Sequence, residues 1–278
     1  TAGYFKADQI AWMWEFLINE LKLDVNNFYV TCFSGSGEFG IERDEVSAHH
    51  WQELFEKRGI TAKISDDGES GMKDGERIFY YGEKKNWWSR AGIPANMPEG
   101  EPGGPDTEMF YDFEPNEKKL HYASGIQIPC HVNCDCGRFL EIGNNVFMQY
   151  KKTGNGFEEL PQQNVDFGGG LERIAAAVNN DPDVFNIDVF NGAKDVIYNL
   201  SKVSYESIGG KSYAYRIILD HVRAATFLIG DGVLPGNKDQ MYFVRRLIRR
   251  AIKFARDLYI KGPLYKDKIY IHSNQNKH

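Results

Sequence analysis

The sequence has few cysteines and no long apolar run. No stretch of about 18 apolar residues occurs among its 278 residues, so a membrane-spanning helix is not expected. No secretory signal pattern is visible at the N-terminus. Only four cysteines are present, and three are crowded together, which is not typical of a disulfide framework. These absences predict a cytoplasmic protein with reduced thiols.

The three crowded cysteines are Cys130, Cys134 and Cys136, and His131 lies among them. Zinc sites use cysteine and histidine ligands, usually four of them at regular spacings. The C-x3-C-x-C spacing is irregular for such a site, and the fourth ligand would have to be His131 or a distant residue. The spacing therefore favours reduced structural thiols, and zinc is not expected here.

The charge is unevenly distributed along the chain. The formal net charge is −6, yet residues 211–278 carry 14 Lys/Arg against 5 Asp/Glu, and residues 1–210 carry 19 against 34. The acidic part would repel nucleic acid, whereas the basic part is suited to bind it. This asymmetry predicts two domains with different partners, and we place the boundary near residues 180–183, giving domains 1–182 and 183–278.

The segment Val165–Ile174 reads V-D-F-G-G-G-L-E-R-I, a glycine-rich turn that leads into a predicted helix. Glycines let the backbone approach a ligand closely, and a helix N-terminus attracts anions. Asp166 before the turn and Arg173 one helical turn beyond it add a carboxylate and a guanidinium. The segment fits a site for a zwitterion and a phosphate, but it also fits a turn that merely starts a helix.

Periodicity predicts most of the remaining elements. Gly143 lies inside one long predicted strand, where it is expected to mark a β-bulge. The predicted helices are Asp8–Leu23, Asp44–Arg58, Asp183–Leu200, Tyr213–Ile229 and Lys238–Ile260, and the predicted strands include Phe28–Phe33, Arg77–Tyr81 and Arg138–Tyr150.

The last predicted helix is the most polarised element. Its apolar residues recur at i, i+3, i+4 and i+7, which is typical of a helix with one buried face. Six cations flank that face, and they favour phosphate contacts over a merely solvated surface because the rest of the chain is acidic. These cations are Arg245, Arg246, Arg249, Arg250, Lys253 and Arg256.

Six segments, in order along nearly the whole chain, together resemble the alanyl-tRNA synthetases, which are class II aminoacyl-tRNA ligases. Each block alone is a weak signal, but their order and spacing are highly specific. The blocks are Gly82–Trp88, Gly103–Asp112, Cys136–Tyr150, Val165–Arg173, Tyr215–Asn237 and Arg245–Ile252.

The resemblance implies an α+β fold with an antiparallel sheet flanked by helices, followed by an all-helical domain. It implies that residues 1–182 form a class II aminoacylation domain and that residues 183–278 form a tRNA-recognition domain. The implied reaction uses ATP with Mg²⁺ to activate L-alanine as alanyl-adenylate, and then transfers the alanyl group to the 3′ end of alanine tRNA.

The resemblance also assigns residues to the catalytic site. Asp166 matches the residue that pairs with the α-ammonium of alanine, and Gly168 matches the glycine that leaves room beside this small substrate. Arg173 matches the motif 3 arginine that binds ATP. Residues matching the alanine pocket are Asn144, Val146 and Trp88, and residues matching the ATP and Mg²⁺ site are Gly169, Gly170 and Glu141, with Glu108 as a second carboxylate candidate.

Glu141 and Asn144 differ in strand parity, so both face the site only if Gly143 introduces a bulge. In the helical part, Asn237 matches an asparagine associated with the G·U pair of the acceptor stem. An amide suits that role because it both donates and accepts at a base edge. Arg245, Arg246, Arg249 and Arg250 are expected to contact tRNA phosphates.

The sequence departs from the class II pattern at its N-terminal side. Motif 1 and the motif 2 arginine, which stabilises the α-phosphate, have no counterpart in it, and no editing signature H-x-x-x-H occurs. The main expectation is therefore a catalytic-core portion that needs these N-terminal motifs as a further segment or chain. The alternative is a non-catalytic tRNA-binding module derived from the same fold.

Overall fold

The computed structural model describes residues 3–114, 120–123, 126–206 and 212–261. The chain divides into two compact units, Thr1–Val184 and Phe185–His278. The division falls two residues beyond the predicted boundary, and the roles predicted for the two parts stay predictions. Within the described ranges, no helix is both long enough and apolar enough to cross a membrane.

A seven-stranded sheet forms the centre of the first unit, and a separate two-stranded hairpin accompanies it. The sheet runs in the order β2-β3-β1-β5-β8-β9, with β4 paired to β5. The strands are β1 Phe28–Phe33, β2 Lys63–Ser65, β3 Glu76–Tyr81, β4 Trp87–Ser89, β5 Pro102–Asp112, β6 Leu120–Ala123, β7 Ile126–Pro129, β8 Phe139–Thr153 and β9 Gly156–Gly169.

The predicted α+β class is confirmed, but the sheet is mixed rather than wholly antiparallel. β3 runs parallel to both β1 and β2, whereas β5, β8 and β9 pair antiparallel with their neighbours. Parallel strands need a long crossover connection. The chain passes from β1 to its parallel neighbour β3 through residues 34–75, which contain helix α2 (Glu45–Glu56) and the edge strand β2.

Two helices cover one face of the sheet. Helix α1 (Lys6–Trp14) continues as a π-helical segment, Glu15–Glu20, and α2 begins after Asp44, which caps it. Both helices were predicted, because their apolar residues recur at helical spacing. They bury a large aromatic and aliphatic core against β1, β3, β5 and β8, and its members include Ile10, Trp14, Leu17, Phe28, Val30, Trp51, Phe55, Met109 and Phe147.

Among the described residues, the opposite face carries two smaller cores with polar residues between them. Along β1, Tyr29 belongs to one small core and Phe33 to the other, and Thr31 lies between them on the same face because side chains alternate. Thr31 contacts Glu108 of β5 through its hydroxyl. The middle of this face is therefore polar, in contrast to the helix-covered face.

Strand β8 contains the predicted bulge. Phe110 of β5 lies opposite Glu141, and Met109 lies opposite Gly143, so Ile142 is the extra residue. Asn144 then lies opposite Glu108. Because residues 108 and 110 point to the same side of β5, Glu141 and Asn144 also share one face. The bulge expected at Gly143 is confirmed at the adjacent Ile142, and it meets the condition under which Glu141 and Asn144 share one face.

The described part of the second unit is helical. Its described α-helices are α5 Asn191–Ser201, α6 Ser212–Gly230 and α7 Asp239–Asp257. Two shorter helices, α3 Glu83–Asn86 and α4 Leu171–Val178, belong to the first unit. Helix α5 begins later than predicted, because two short 3-10 turns, Val184–Asn186 and Asp188–Phe190, precede it and the extended Ile187 separates them from each other. The apolar stripe of α7 is buried at Val244, Ala251 and Ala255.

Asp44 joins helix α1 to the start of helix α2 through buried polar contacts. Its carboxylate accepts hydrogen bonds from Lys6 Nζ at 2.7 Å, Ser47 N at 3.1 Å and Ser47 Oγ at 2.7 Å. The side chains of Lys6 and Asp44 are only 10% and 1% exposed. We expect Asp44→Ala to lower the free energy of unfolding by about 3–5 kcal/mol, because it leaves the Lys6 ammonium buried without its partner and removes a helix cap.

The matched control is Asp66→Ala, which breaks an ion pair with Arg43 in which the aspartate is 80% exposed. Urea denaturation of both variants measures the difference. An exposed pair contributes little, so equal losses in the two variants would contradict this account of Asp44.

Candidate active site

Three carboxylates line the polar middle of the open sheet face, and we call them the acidic row: Asp106, Glu108 and Glu141. Asp106 is buried and accepts a hydrogen bond from Asn86 Nδ2 at 3.0 Å. A side-chain hydrogen bond from Asn144 also reaches it. Asp106 was missed from sequence, although it lies two residues from Glu108 and strand alternation places both on one face.

Glu108 is held by groups from two other segments. Its Oε2 accepts from Thr31 Oγ1 at 3.1 Å and from Asn133 Nδ2 at 2.7 Å. Asn133 in turn accepts from Lys85 Nζ at 2.9 Å through its side-chain oxygen. Glu108 is thus oriented by side-chain hydrogen bonds from both a strand and a loop.

Burial changes the protonation of two members of the acidic row. It raises the pKa of Asp106 from its usual 3.8 to about 7, although hydrogen bonds from Asn86 and Asn144 lower it. Burial likewise raises the pKa of Glu108 from 4.5 to about 8, and the nearby charges of Asp106 and Glu141 raise it further. At neutral pH the row therefore retains protons that a cation would displace.

Arg173 lies beside the third carboxylate. Its Nη1 donates to the backbone oxygen of Glu141 at 3.1 Å and to Glu141 Oε2 at 3.2 Å. The two side chains are 47% and 36% exposed, so the guanidinium is accessible to an anion from solvent. The predicted Arg173 and Glu141 are therefore brought together at the end of the acidic row.

The glycine-rich segment differs from the predicted turn. Gly168 and Gly169 lie within strand β9, and the helix begins only after Gly170. The backbone N–H of Gly170 donates to Ile142 O at 3.2 Å, which ties the start of α4 to the bulge of β8. A Cβ at position 170 would lie 3.0–3.2 Å from side-chain carbons of Arg173. Glycine therefore gives Arg173 room to fold back.

The register of β8 and β9 places the predicted alanine-site residues side by side. Asn144 lies opposite Gly168, and Val146 lies opposite Asp166. Directly opposed residues point to the same face, so these four share a surface with the acidic row. Asp166 is exposed, and a Cβ built at Gly168 meets no atom within 4 Å.

Trp88, the remaining predicted pocket residue, lies on the short strand β4 opposite Gly104. Its side chain is 37% exposed, whereas the neighbouring Trp87 is buried in one of the small cores. The structure thus presents Trp88 at the surface. Its role in closing the pocket, like the other residue roles, stays a prediction.

The three crowded cysteines converge in the loop before β8. Their sulfur atoms all lie within 4.8 Å of one another, and Cys130 packs in a small core with Val132 and Phe139. The loop also contains Asn133, which contacts Glu108. His131 does not join the cluster among the described residues; its Nδ1 lies 2.9 Å from the Tyr81 hydroxyl.

In the second unit, the basic face of α7 is exposed. Arg245, Arg246, Arg249 and Arg250 all face solvent. Arg245 Nη1 donates to Asn237 Oδ1, so the predicted base-reading amide lies next to a predicted phosphate-binding cation. These residues form one accessible surface, as their predicted contacts with tRNA require.

Comparison with known proteins adds a family relationship. Residues 2–277 match the family described as tRNA synthetases class II (A). The chain is 35% identical over 261 residues to alanine–tRNA ligase 1 of Lachnoclostridium phytofermentans, covering 93% of this chain and 25% of that protein. It is 36% identical over 264 residues to the alanine–tRNA ligase of Treponema denticola, covering 93% and 38%.

A third relative is the alanine–tRNA ligase of Borrelia hermsii, 34% identical over 272 residues, which cover 96% of this chain and 40% of that protein. The chain therefore spans 25% to 40% of the length of these three curated relatives. The similarity extends over both compact units.

The raised pKa values of Asp106 and Glu108 predict a pH dependence of stability. The folded state binds the protons of these two carboxyl groups more tightly than the unfolded chain does. Proton binding therefore favours the folded state fully below about pH 4, and this contribution is lost as pH rises towards about 8. Each extra proton held by the folded state corresponds to a decline of about 1.4 kcal/mol per pH unit. We expect Glu108→Gln to reduce the decline of unfolding free energy between pH 5 and pH 8.

Urea denaturation at pH 5, 6, 7 and 8 measures this slope. Glu158→Gln is the matched control, because Glu158 is 56% exposed in an ion pair with Lys151 on the same sheet. The wild type and the control should show the same slope. A wild-type stability that rises from pH 5 to pH 8 in step with Glu108→Gln would contradict the assignment.

Proposed function

Because the chain belongs to the class II tRNA synthetases (A), we propose that it forms the catalytic core of an alanine–tRNA ligase. In this reaction a carboxylate oxygen of alanine attacks the α-phosphorus of ATP, an O–P bond forms, and pyrophosphate leaves. The alanyl group then passes to the 3′ end of alanine tRNA. The observation that carries the proposal is the pairing of Asn144 and Val146 with Gly168 and Asp166 on one open face.

The amino-acid site follows from these four residues. The Asp166 carboxylate is exposed on the face and would pair with the α-ammonium of alanine. Asn144 Oδ1 is buried and has no hydrogen-bond partner within the described residues. A buried acceptor left unpaired costs about 1–3 kcal/mol, and a substrate N–H would satisfy it. The open space above Gly168 leaves room for the methyl group of alanine.

The ATP site would lie at the other end of the acidic row. Arg173 is exposed and pairs with Glu141 in the structure. On binding ATP, its guanidinium would pair with a phosphate group in place of Glu141 and would neutralise the negative charge that develops there. The backbone of Gly169 and Gly170 allows close approach. The chemistry needs positioning and charge stabilisation more than proton transfer.

The carboxylates of the row also fit Mg²⁺. Magnesium prefers oxygen ligands, and Glu141 with Glu108 would hold it, since both carboxylates lie on the same face. When bound, the ion shields the negative charge of the phosphates. A cation near the row would also release the protons that burial retains on Asp106 and Glu108.

The second unit would bind the acceptor stem of alanine tRNA. The exposed arginines of α7 would contact phosphates, which position a nucleic acid without reading its sequence. Asn237 would read the stem at a base edge. This surface would serve equally in a non-catalytic tRNA-binding module, which is the alternative function. The two functions differ in whether alanine is activated.

Gly168→Ala tests the amino-acid site. The fold should tolerate the substitution within about 0.5 kcal/mol, because a Cβ there meets no atom within 4 Å. The added methyl group would occupy the space for the alanine side chain. We expect the KM for alanine in ATP–pyrophosphate exchange to rise about tenfold or more, with glycine less affected.

The exchange is measured with the chain alone and with a supplied segment carrying motifs 1 and 2. Gly37→Ala is the matched control, since a Cβ at that glycine also meets open space. A Gly168→Ala protein with unchanged alanine KM would place the substrate elsewhere. Absence of exchange in both arms, with tRNA still bound, would favour the binding module.

The basic face of α7 gives a second test. We expect the pair Arg249→Ala and Arg250→Ala to weaken binding of alanine tRNA and to lower the slope of log affinity against log salt by about 0.9 for each phosphate that is no longer neutralised. Filter binding across a salt series measures both effects. Lys57→Ala with Arg58→Ala removes the same charge from exposed positions in the first unit. An equally large effect in this control pair would indicate a non-specific charge effect.

A further inference from the structure

The cysteine loop has the geometry of a metal site. The sulfur of Cys130 lies 3.7 Å from that of Cys134 and 3.8 Å from that of Cys136, and the other two sulfurs lie 3.1 Å apart. Three thiolates on a tetrahedral zinc ion are about 3.8 Å apart, because Zn–S bonds are about 2.3 Å long. Two of the three separations match this value before any ion is considered.

The backbone of the loop supports this arrangement. Cys134 N donates to His131 O at 3.2 Å, which closes a turn between the first two cysteines. Directly after Cys136, Gly137 has φ +83°, a left-handed conformation that glycine adopts without a Cβ clash, and the chain bends there before β8. Arg138 N then donates to Cys136 Sγ at 3.5 Å. A backbone N–H directed at a sulfur stabilises the thiolate form that binds a metal.

The ends of the loop are firmly anchored. Cys130 is buried in a small core, and Arg138 forms a buried ion pair with Asp112, with Nη2 2.6 Å from Oδ2. Convergence of three sulfurs, rather than two, distinguishes this loop from a disulfide, which would leave the third thiol unexplained. The irregular C-x3-C-x-C spacing argued against zinc, but the turn brings the three sulfurs together despite that spacing.

We propose that Cys130, Cys134 and Cys136 bind one zinc ion through three thiolates. Three Zn–S bonds form, and the three thiol protons pass to solvent. Within the described ranges no fourth Cys, His, Asp or Glu joins the cluster. The fourth position is filled by water or by a ligand from outside the cluster. The site is independent of the proposed ligase function.

The ion would stabilise one side of the acidic row. The same loop carries Asn133, which donates to Glu108 at 2.7 Å and accepts from Lys85 at 2.9 Å. Closing the loop on a metal restricts the position of Asn133. The metal is therefore a structural ion that orients a neighbour of Glu108, and it does not itself lie in the acidic row.

Cysteine alkylation followed by mass spectrometry tests the site in the unaltered chain. We expect zinc to slow alkylation of the peptide containing Cys130, Cys134 and Cys136 at least tenfold relative to the protein treated with a chelator. Cys32 is buried elsewhere in the sheet core and serves as the internal control, with equal rates in both samples. If each of the four cysteines is alkylated at the same rate with zinc as with the chelator, the proposal is overturned.

Cobalt substitution provides the second measurement. One Co²⁺ per chain should give thiolate charge-transfer bands in the near ultraviolet and the visible bands of tetrahedral cobalt. Cys134→Ser and Cys136→Ser should each weaken the charge-transfer bands, whereas Cys32→Ala should keep them. Circular dichroism identifies any variant that fails to fold. A wild-type protein without these bands, or a folded Cys134→Ser protein with undiminished bands, would contradict the site.

Discussion

The one-residue bulge in β8 is the constraint on which the candidate site depends. It places Glu141 and Asn144 on one face of the sheet, although strand alternation alone would separate them. The carbonyl of the bulged Ile142 accepts from Gly170 N and so fixes the start of α4. Arg173 on that helix then reaches back to Glu141. A single irregularity in backbone pairing thus aligns residues from two strands and a helix.

The two faces of the sheet differ in the side chains that they bury. The face covered by α1 and α2 supplies the large apolar core, whose burial favours the folded state. On the other face, the small cores at either end leave polar groups in between. Asp106 and Glu108 are buried there with raised pKa values, and Asn144 Oδ1 lacks a partner within the described residues. Such groups reduce stability, and they are expected where a ligand completes the structure.

The cysteine loop connects one of the small apolar cores of the open face with the acidic row. It covers one end of the face through Cys130 and Val132, and it reaches the acidic row through Asn133. A loop of this kind has little regular structure of its own, so its position depends on a few anchors. The buried pair of Arg138 with Asp112 is one such anchor, and the three sulfurs provide the donor set for another.

The sequence by itself determined the family, the α+β class, the amphipathic helices and the bulge at Gly143, because these follow from local periodicity or from the residue types in ordered blocks. Only the tertiary structure decided that Gly168 and Gly169 continue strand β9, since glycines carry no side-chain pattern and their conformation depends on pairing with β8. It also decided the raised pKa values of Asp106 and Glu108 and the convergence of the three sulfurs. Burial and contact between separate segments set these properties, and neither can be read from local spacing.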